Sequence, residues 1–235
     1  METTASGWKI FDADAPILTY EYSFGPGTAN ALAVGTERGL FVVSPPRGVG
    51  AGVFGDLSRY GPVTALVASN AFHHMGIPEW KKRFPDAAVY APVQSIARVE
   101  RKTKLTGIRP VAEASSAAAP RLELIDMPHY KTGEALARIR SGRGLVWYIT
   151  DFALNMPKLP AHLVARLLFG LSGSAPGLKF NNIGSLFMVR DKAALKRWLA
   201  AKFDENPPRW LIATHGNVVE VGPNLEAVRR LFATR

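Results

Sequence analysis

Apolar and polar residues alternate in short bursts along the first quarter of the chain. Ile17 to Phe24, Thr28 to Val34 and Gly39 to Val43 each carry a period of two and each is bounded by Gly or Pro, the pattern of strands joined in a meander. After Pro45-Pro46 a short helix is expected from Phe54 to Arg59. It is followed by Val63-Thr64-Ala65-Leu66-Val67-Ala68, a near-continuous apolar run of the kind a strand covered on both faces shows. That run ends directly on Ser69-Asn70-Ala71-Phe72-His73-His74. From Ile77 the spacing turns helical, with Pro78 suited to a first turn and Trp80 and Phe84 four apart on one face.

Next come a short strand at Ala88 to Tyr90, a basic helix from about Val93 to Lys102, and an Ala- and Ser-rich stretch from Val111 to Pro120 that reads as loop. Leu122 to Asp126, Ala135 to Arg140 and Leu145 to Thr150 are strand candidates, the last closed by Asp151. Residues 157–180 read as an inserted segment whose apolar amphipathic helix suits a lid, a homodimer contact or a membrane-surface patch. Asp191 suits the N-cap of a helix running to Lys202. A strand at Trp210 to Ala213 leads into Thr214-His215-Gly216, and a helix from about Pro223 to Phe232 follows. Strands precede helices in two halves of similar order. This predicts a single α/β domain over residues 1–235, with two sheets packed face to face and helices outside.

An apolar content of 47% allows a real core. The 29 Lys and Arg against 19 Asp and Glu leave a formal charge of +10, which favours anionic partners by long-range attraction, and a small-molecule or anionic substrate is expected. Part of the excess lies at Lys81, Lys82, Arg83, Arg98, Arg101, Lys102, Lys104 and Arg109, without the interleaved aromatics of a base-stacking surface, which argues against nucleic acid. No apolar run reaches the roughly 20 residues of a spanning helix, so no transmembrane segment is expected and the expected location is cytoplasmic. With no cysteine, only imidazoles and carboxylates remain as strong ligands for a transition metal.

Three apolar strands end in such groups: His73 and His74, then Asp151, then His215. Loops at strand ends converge because the sheet fixes their origins. The four residues form a three-nitrogen, one-carboxylate set suited to one divalent zinc, iron or manganese ion. Plainer roles are open to the same residues. The His pair can bond loop carbonyls, Asp151 can cap a following helix, and His215-Gly216 can be a turn.

The pattern resembles the metallo-β-lactamase superfamily, in which one strand ends in His-x-His-x-Asp-His, a later one in Gly-Asp and a last one in His-Gly. Residues Ala68 to Gly76 occupy the first motif in degenerate form, Thr150-Asp151 the second and Thr214-His215-Gly216 the third. Asn30 to Val34 and Gly39 to Pro45 resemble the strands that lead into that family's site, and the similarity spans about residues 15 to 235. The resemblance implies a four-layer αββα fold and metal-dependent hydrolase-like chemistry. Ser69 and Ala71 stand where the family's two leading histidines hold a first metal, so the resemblance implies at most one well-formed site. That site is His73 (where Asp is usual), His74, bridging Asp151 and His215. In Met127-Pro128-His129-Tyr130-Lys131-Thr132-Gly133, Tyr130 takes the place of the family's middle histidine, or His129 does with a one-residue shift. Asp151 is the candidate to orient or deprotonate water, and Tyr130, Lys131 or Lys179 to steady negative charge. His129 otherwise reads as supporting the ligands, and His162 as a core or interface histidine. The alternative function is a non-catalytic binding or regulatory module on the same scaffold.

Overall fold

The alternating N-terminal segments form the antiparallel half of a large sheet. In the computed structural model, which describes residues 1–25 and 27–234, that half comprises β1 (Glu2–Thr3), β2 (Lys9–Asp12), β3 (Ile17–Ser23), β4 (Thr28–Thr36) and β5 (Gly39–Val43). Helix α1 (Ala51–Leu57) then crosses to the buried strand β6 (Val63–Val67). Helices α2 (Ile77–Arg83) and α3 (Ile96–Thr103) carry the chain on to β7 (Ala88–Ala91) and β8 (Arg109–Pro110). From β5 to β8 the strands run parallel, so this sheet of eight follows chain order throughout.

Helix α4 (Val111–Ala118) bridges to the second sheet, and here the reading of residues 111–120 as loop is corrected. Val111, Ala114 and Ala118 fall on one helical face and are buried in the core between the sheets. Small side chains look like loop by composition, but they let a helix pack close and cost little in propensity.

Strands β9 (Leu122–Asp126), β10 (Ala135–Ser141) and β11 (Gly144–Ile149) form an antiparallel meander. The chain then makes a smaller ladder, β12 (Ala153–Met156), with helix α5 (Leu163–Leu171) between it and β13 (Gly177–Phe180). Helices α6 (Asn182–Met188) and α7 (Lys192–Glu205) precede β14 (Trp210–Ala213), which docks parallel to β11. Asp191 caps α7 by accepting from the Ala194 N–H at 2.9 Å, as the sequence predicts. Strand β15 (Val219–Glu220) and helix α8 (Leu225–Phe232) follow, giving a second sheet in the order β15-β14-β11-β10-β9.

The burial pattern shows four layers. Leu32, Val34, Phe41, Val67 and Tyr90 of the first sheet meet Leu124, Ala137, Val146, Tyr148 and Ile212 of the second. The outer face of the first sheet buries Leu40, Val42 and Leu66 against Val53, Leu57, Ile77 and Trp80. The outer face of the second buries Trp147 and Leu211 against Leu195, Leu199 and Phe203 of α7 and Val228 and Phe232 of α8. Among the described residues, no helix is long and apolar enough to cross a membrane.

Candidate metal centre

The site lies where strands of both sheets end together. Strands β11 and β14 are parallel neighbours with Ile149 opposite Ala213, so Asp151 and His215 each emerge two residues past the same rung. The loop after β6 joins them from the other sheet because main-chain bonds stitch the sheets at this end. Ala135 N–H donates to the Ser69 carbonyl at 2.8 Å, and Asn30 N–H to the Thr214 carbonyl at 2.7 Å. The Asn30 amide adds bonds of 2.8 Å to the carbonyls of Ala213 and Gly216, and the Tyr148 hydroxyl donates to the Asn30 carbonyl at 2.6 Å.

The loop carrying His73 is held from below. Trp80 Nε1 donates to the Pro46 carbonyl at 2.8 Å, and Ser44 and Ser69 share a buried hydroxyl bond of 2.7 Å. At Gly76 any Cβ would overlap the carbonyls of Pro45 and Pro46, so the close approach of the two loops requires glycine.

His73 Nε2 lies 3.2 Å and His215 Nε2 3.1 Å from the same oxygen, Asp151 Oδ1. The donor atoms of the three residues all fall within 4.8 Å of one another. His215 Nδ1 faces the Thr28 carbonyl at 2.8 Å; a carbonyl only accepts, so Nδ1 carries the proton and Nε2 is turned to the carboxylate. The Phe24 ring stands edge-on to His215, with centroids 5.6 Å apart.

Two residues that sequence reasoning missed organise this cluster. The side-chain oxygen of Asn70 accepts from the N–H groups of Phe72 at 2.8 Å and His73 at 3.0 Å, which shapes the loop. Its amide donates to Asp151 Oδ2 at 2.8 Å and to Glu134 Oε2 at 3.0 Å, and Glu134 Oε1 accepts from the Asp151 N–H at 2.8 Å. Asn70 directly after an apolar strand was the one available signal, since Asn favours such turns. Glu134 offered none.

The electrostatics follow from burial and this pairing. Burial would raise the Asp151 pKa, but the electrostatic interaction with His73 and the hydrogen bonds with His215 and His73 outweigh it and hold the carboxyl well below the usual range. For His215 burial works downward, and the bond to Asp151 reverses it to a net rise. Burial and then the charge of Asp151 push Glu134 well above the usual carboxyl range. Burial, then Glu134 and Asp151, raise the Tyr130 phenol further, and its hydroxyl is buried without a hydrogen-bond partner.

Of the residues singled out in the sequence, the structure brings together His73, Asp151 and His215. His74 is half-buried beside them, its pKa lowered by burial, but its nitrogens are not in the cluster. His129 is exposed, with a positive φ of 64° and its carbonyl bonded to the Arg190 N–H at 2.6 Å, and it too lies outside. Lys131 is exposed, and Lys179 lies on β13 against a separate cleft. Ser69 and Ala71 are buried and present no ligand for a second ion. Asp151 caps no helix, because the chain passes from it into β12, and His162 is an exposed residue at the N-terminus of α5, not a core histidine.

No family profile and no curated protein matches the sequence. Solved structures do match the fold. The Pseudomonas aeruginosa metallo-β-lactamase FIM-1 in its mono-zinc form is 14% identical, covering 99% of this chain and 96% of its own, with a TM-score of 0.63. A metallo-β-lactamase from Erythrobacter litoralis is 15% identical over 99% and 98% of the two chains, with a TM-score of 0.62. The chain has the metallo-β-lactamase fold. A fragment, residues 1–254, of a putative diflavin flavoprotein from Nostoc sp. PCC 7120 aligns nearly as broadly, with 9% identity over 96% of this chain and 92% of the fragment and a TM-score of 0.61. In this chain the metallo-β-lactamase fold gathers the loops after β6, β11 and β14, from which the three donor residues come.

Proposed function

We propose that this chain is a metal-dependent hydrolase that works with a single divalent cation held by His73, Asp151 and His215. One observation supports it above the others: two imidazole nitrogens converge on one carboxylate oxygen at 3.1 and 3.2 Å. Ligand atoms about 2.0 to 2.1 Å from a tetrahedral zinc lie about 3.3 Å apart, so these two spacings suit such an ion, and the three donor atoms, all within 4.8 Å of one another, need only close together around it. The bond from His215 Nδ1 to the Thr28 carbonyl is the outer contact that orients a ligating imidazole. Two histidines and one carboxylate with the remaining positions open form the donor set of catalytic zinc and of non-haem iron sites. The mono-zinc form in which FIM-1 was solved supports a one-ion occupancy on this fold. His74 and His129 are dispensable in this reading.

A bound cation supplies Lewis acidity toward the oxygen of a scissile bond and toward water. The protein supplies the rest. Asp151 stays ionised, with Oδ2 fixed by Asn70, so its carboxylate would hold the cation and orient a water beside it; a carboxyl kept that far below neutrality is a weak acceptor for the water's proton. Tyr130 keeps its proton, so its part is that of a hydrogen-bond donor. Arg98 donates to the Ala71 carbonyl at 3.1 Å and lies 4.8 Å from the centroid of the Phe72 ring, so a cation stands on the loop that carries His73, which favours an anionic substrate. Exposed Phe72 and Met75 give that loop an apolar edge.

The test is turnover of chromogenic ester, thioester, lactam and phosphodiester substrates after loading with zinc, iron(II) or manganese. Cation-dependent turnover abolished by Asp151→Asn is expected. A protein that binds the cation yet turns over none of these is a binding module, which contradicts the hydrolase reading.

A further inference from the structure

Between Asp151 and Asp191 the chain carries no carboxylate side chain, while Lys158, Arg166, Lys179 and Arg190 supply positive charge. The same stretch holds most of the exposed large apolar side chains among the described residues. Helix α5 has no buried residue, and Leu163, Val164, Leu167, Leu168 and Leu171 form one stripe at helical spacing, 48 to 87% exposed. Leu186 and Phe187 of α6 add side chains 68 and 72% exposed. An apolar stripe ordinarily faces a core. This one faces outward.

Leu171 and Leu186 also line the rim of a 1490 Å³ cleft. Its walls carry Lys179, Lys192, Lys196 and Arg230. Lys192 and Lys196 lie 5.5 and 5.0 Å from the centroid of the Phe180 ring, and their ammonium groups also bond Asn182 Oδ1 at 2.6 Å and the Ala233 carbonyl at 2.7 Å. Arg230 pairs with Glu226 at 3.7 Å. One carboxylate lines the cleft, Glu220, which pairs with Arg209 at 3.7 Å.

We infer that α5 and the end of α6 dock on an anionic phospholipid bilayer, the leucine stripe entering the headgroup–acyl boundary while the cationic cleft beside it meets lipid phosphates. Apolar side chains on one face, in a segment that carries cations and no carboxylate, form the pattern of an interfacial helix. A second copy of the chain fits less well. A two-fold interface would set this segment against itself, with its cations facing cations and no carboxylate of the segment between them. The inference does not rest on the metal reading. The two are nonetheless joined in space, since Asn181, which caps α6, donates from its amide to the Asp151 carbonyl at 2.8 Å. Docking would hold the candidate metal centre near the lipid surface.

The test is sedimentation of the full chain with phosphatidylcholine vesicles, with and without about 30 mol % phosphatidylglycerol. Two variants accompany the wild type: Leu167→Asp with Leu168→Asp, and Lys158→Gln with Arg166→Gln. All four sites are solvent-facing or partly so, and circular dichroism verifies that the variants fold. Wild-type protein should partition at least about tenfold better onto anionic than onto neutral vesicles. The leucine variant should lose about tenfold or more, and each removed cation about fivefold. Failure of the wild type to sediment with anionic vesicles, or equal partitioning onto both kinds, overturns the inference. So does a concentration-dependent dimer, abolished by the leucine variant, in a protein that ignores vesicles.

Discussion

The side-chain amide of Asn70 joins two carboxylates, lying 2.8 Å from Asp151 Oδ2 and 3.0 Å from Glu134 Oε2. Because the same residue also receives the His73 N–H at 3.0 Å, one side chain sets the spacing of two proposed ligands. Asn70→Ala removes the donor between two buried acceptors and the shape of the loop together. We expect a loss of about 2 to 4 kcal/mol in urea unfolding and a drop of about 10- to 100-fold in cation affinity by calorimetry. Stability and affinity both unchanged would show that the clamp carries no weight.

Cation affinity should rise with pH. The raised pKa of His215 means that its proton must be displaced before Nε2 can ligate, whereas Asp151 is already ionised well below neutrality. The metal-free protein should show the opposite trend. A histidine whose folded pKa exceeds the usual 6.5 contributes stability that is complete below 6.5 and fades as pH climbs through the raised value. Thermal melts of stripped and loaded protein from pH 5.5 to about 8.5 should therefore diverge as pH rises. Parallel curves would refute the role of His215.

Gly216 follows His215 with φ +115°, a backbone conformation costly for other residues, and any Cβ would overlap the Asn155 carbonyl. Gly216→Ala should cost about 2 to 4 kcal/mol and displace the His215 loop, weakening cation binding as well. Wild-type affinity in this variant would show that the loop position is not needed.

Far from the site, Asp56 accepts from the hydroxyl and the backbone N–H of Ser6, the latter at 3.0 Å, and ties the N-terminal segment to α1. The Ser6 hydroxyl bond, helped by Thr4 and the Ser6 backbone, lowers its pKa to about 2. Stability from this carboxylate is present above its usual value of 3.8 and is lost as pH falls toward about 2. Asp56→Asn should thus destabilise the protein at neutral pH and flatten its acid unfolding below pH 4. An acid profile identical to that of the wild type would contradict the assignment.

The sequence exposed the parts of this molecule whose signals are local. His73, Asp151 and His215 were legible because each follows an apolar run, and strand ends of that kind converge. The roles of Asn70, Glu134, Asn30 and Thr28 were not, because they arise from contacts between sheets that leave no period in the chain. Strands β12 and β13 escaped notice because they pair across the intervening α5, and α4 because burial of Val111, Ala114 and Ala118 outweighs a loop-like composition. The neighbouring histidines 73 and 74 could not be separated by sequence, since only the turn fixed by Asn70 decides which ring faces Asp151.

The most direct measurement is the metal content of purified protein after zinc, iron or manganese loading and removal of free ion, read by elemental analysis. Three ligands at one centre predict about one equivalent in the wild type, a similar value in His74→Ala and His129→Ala, and less than about a tenth in His215→Ala. A wild type that takes up none of these ions, or a His215→Ala variant that keeps its full equivalent, contradicts the account.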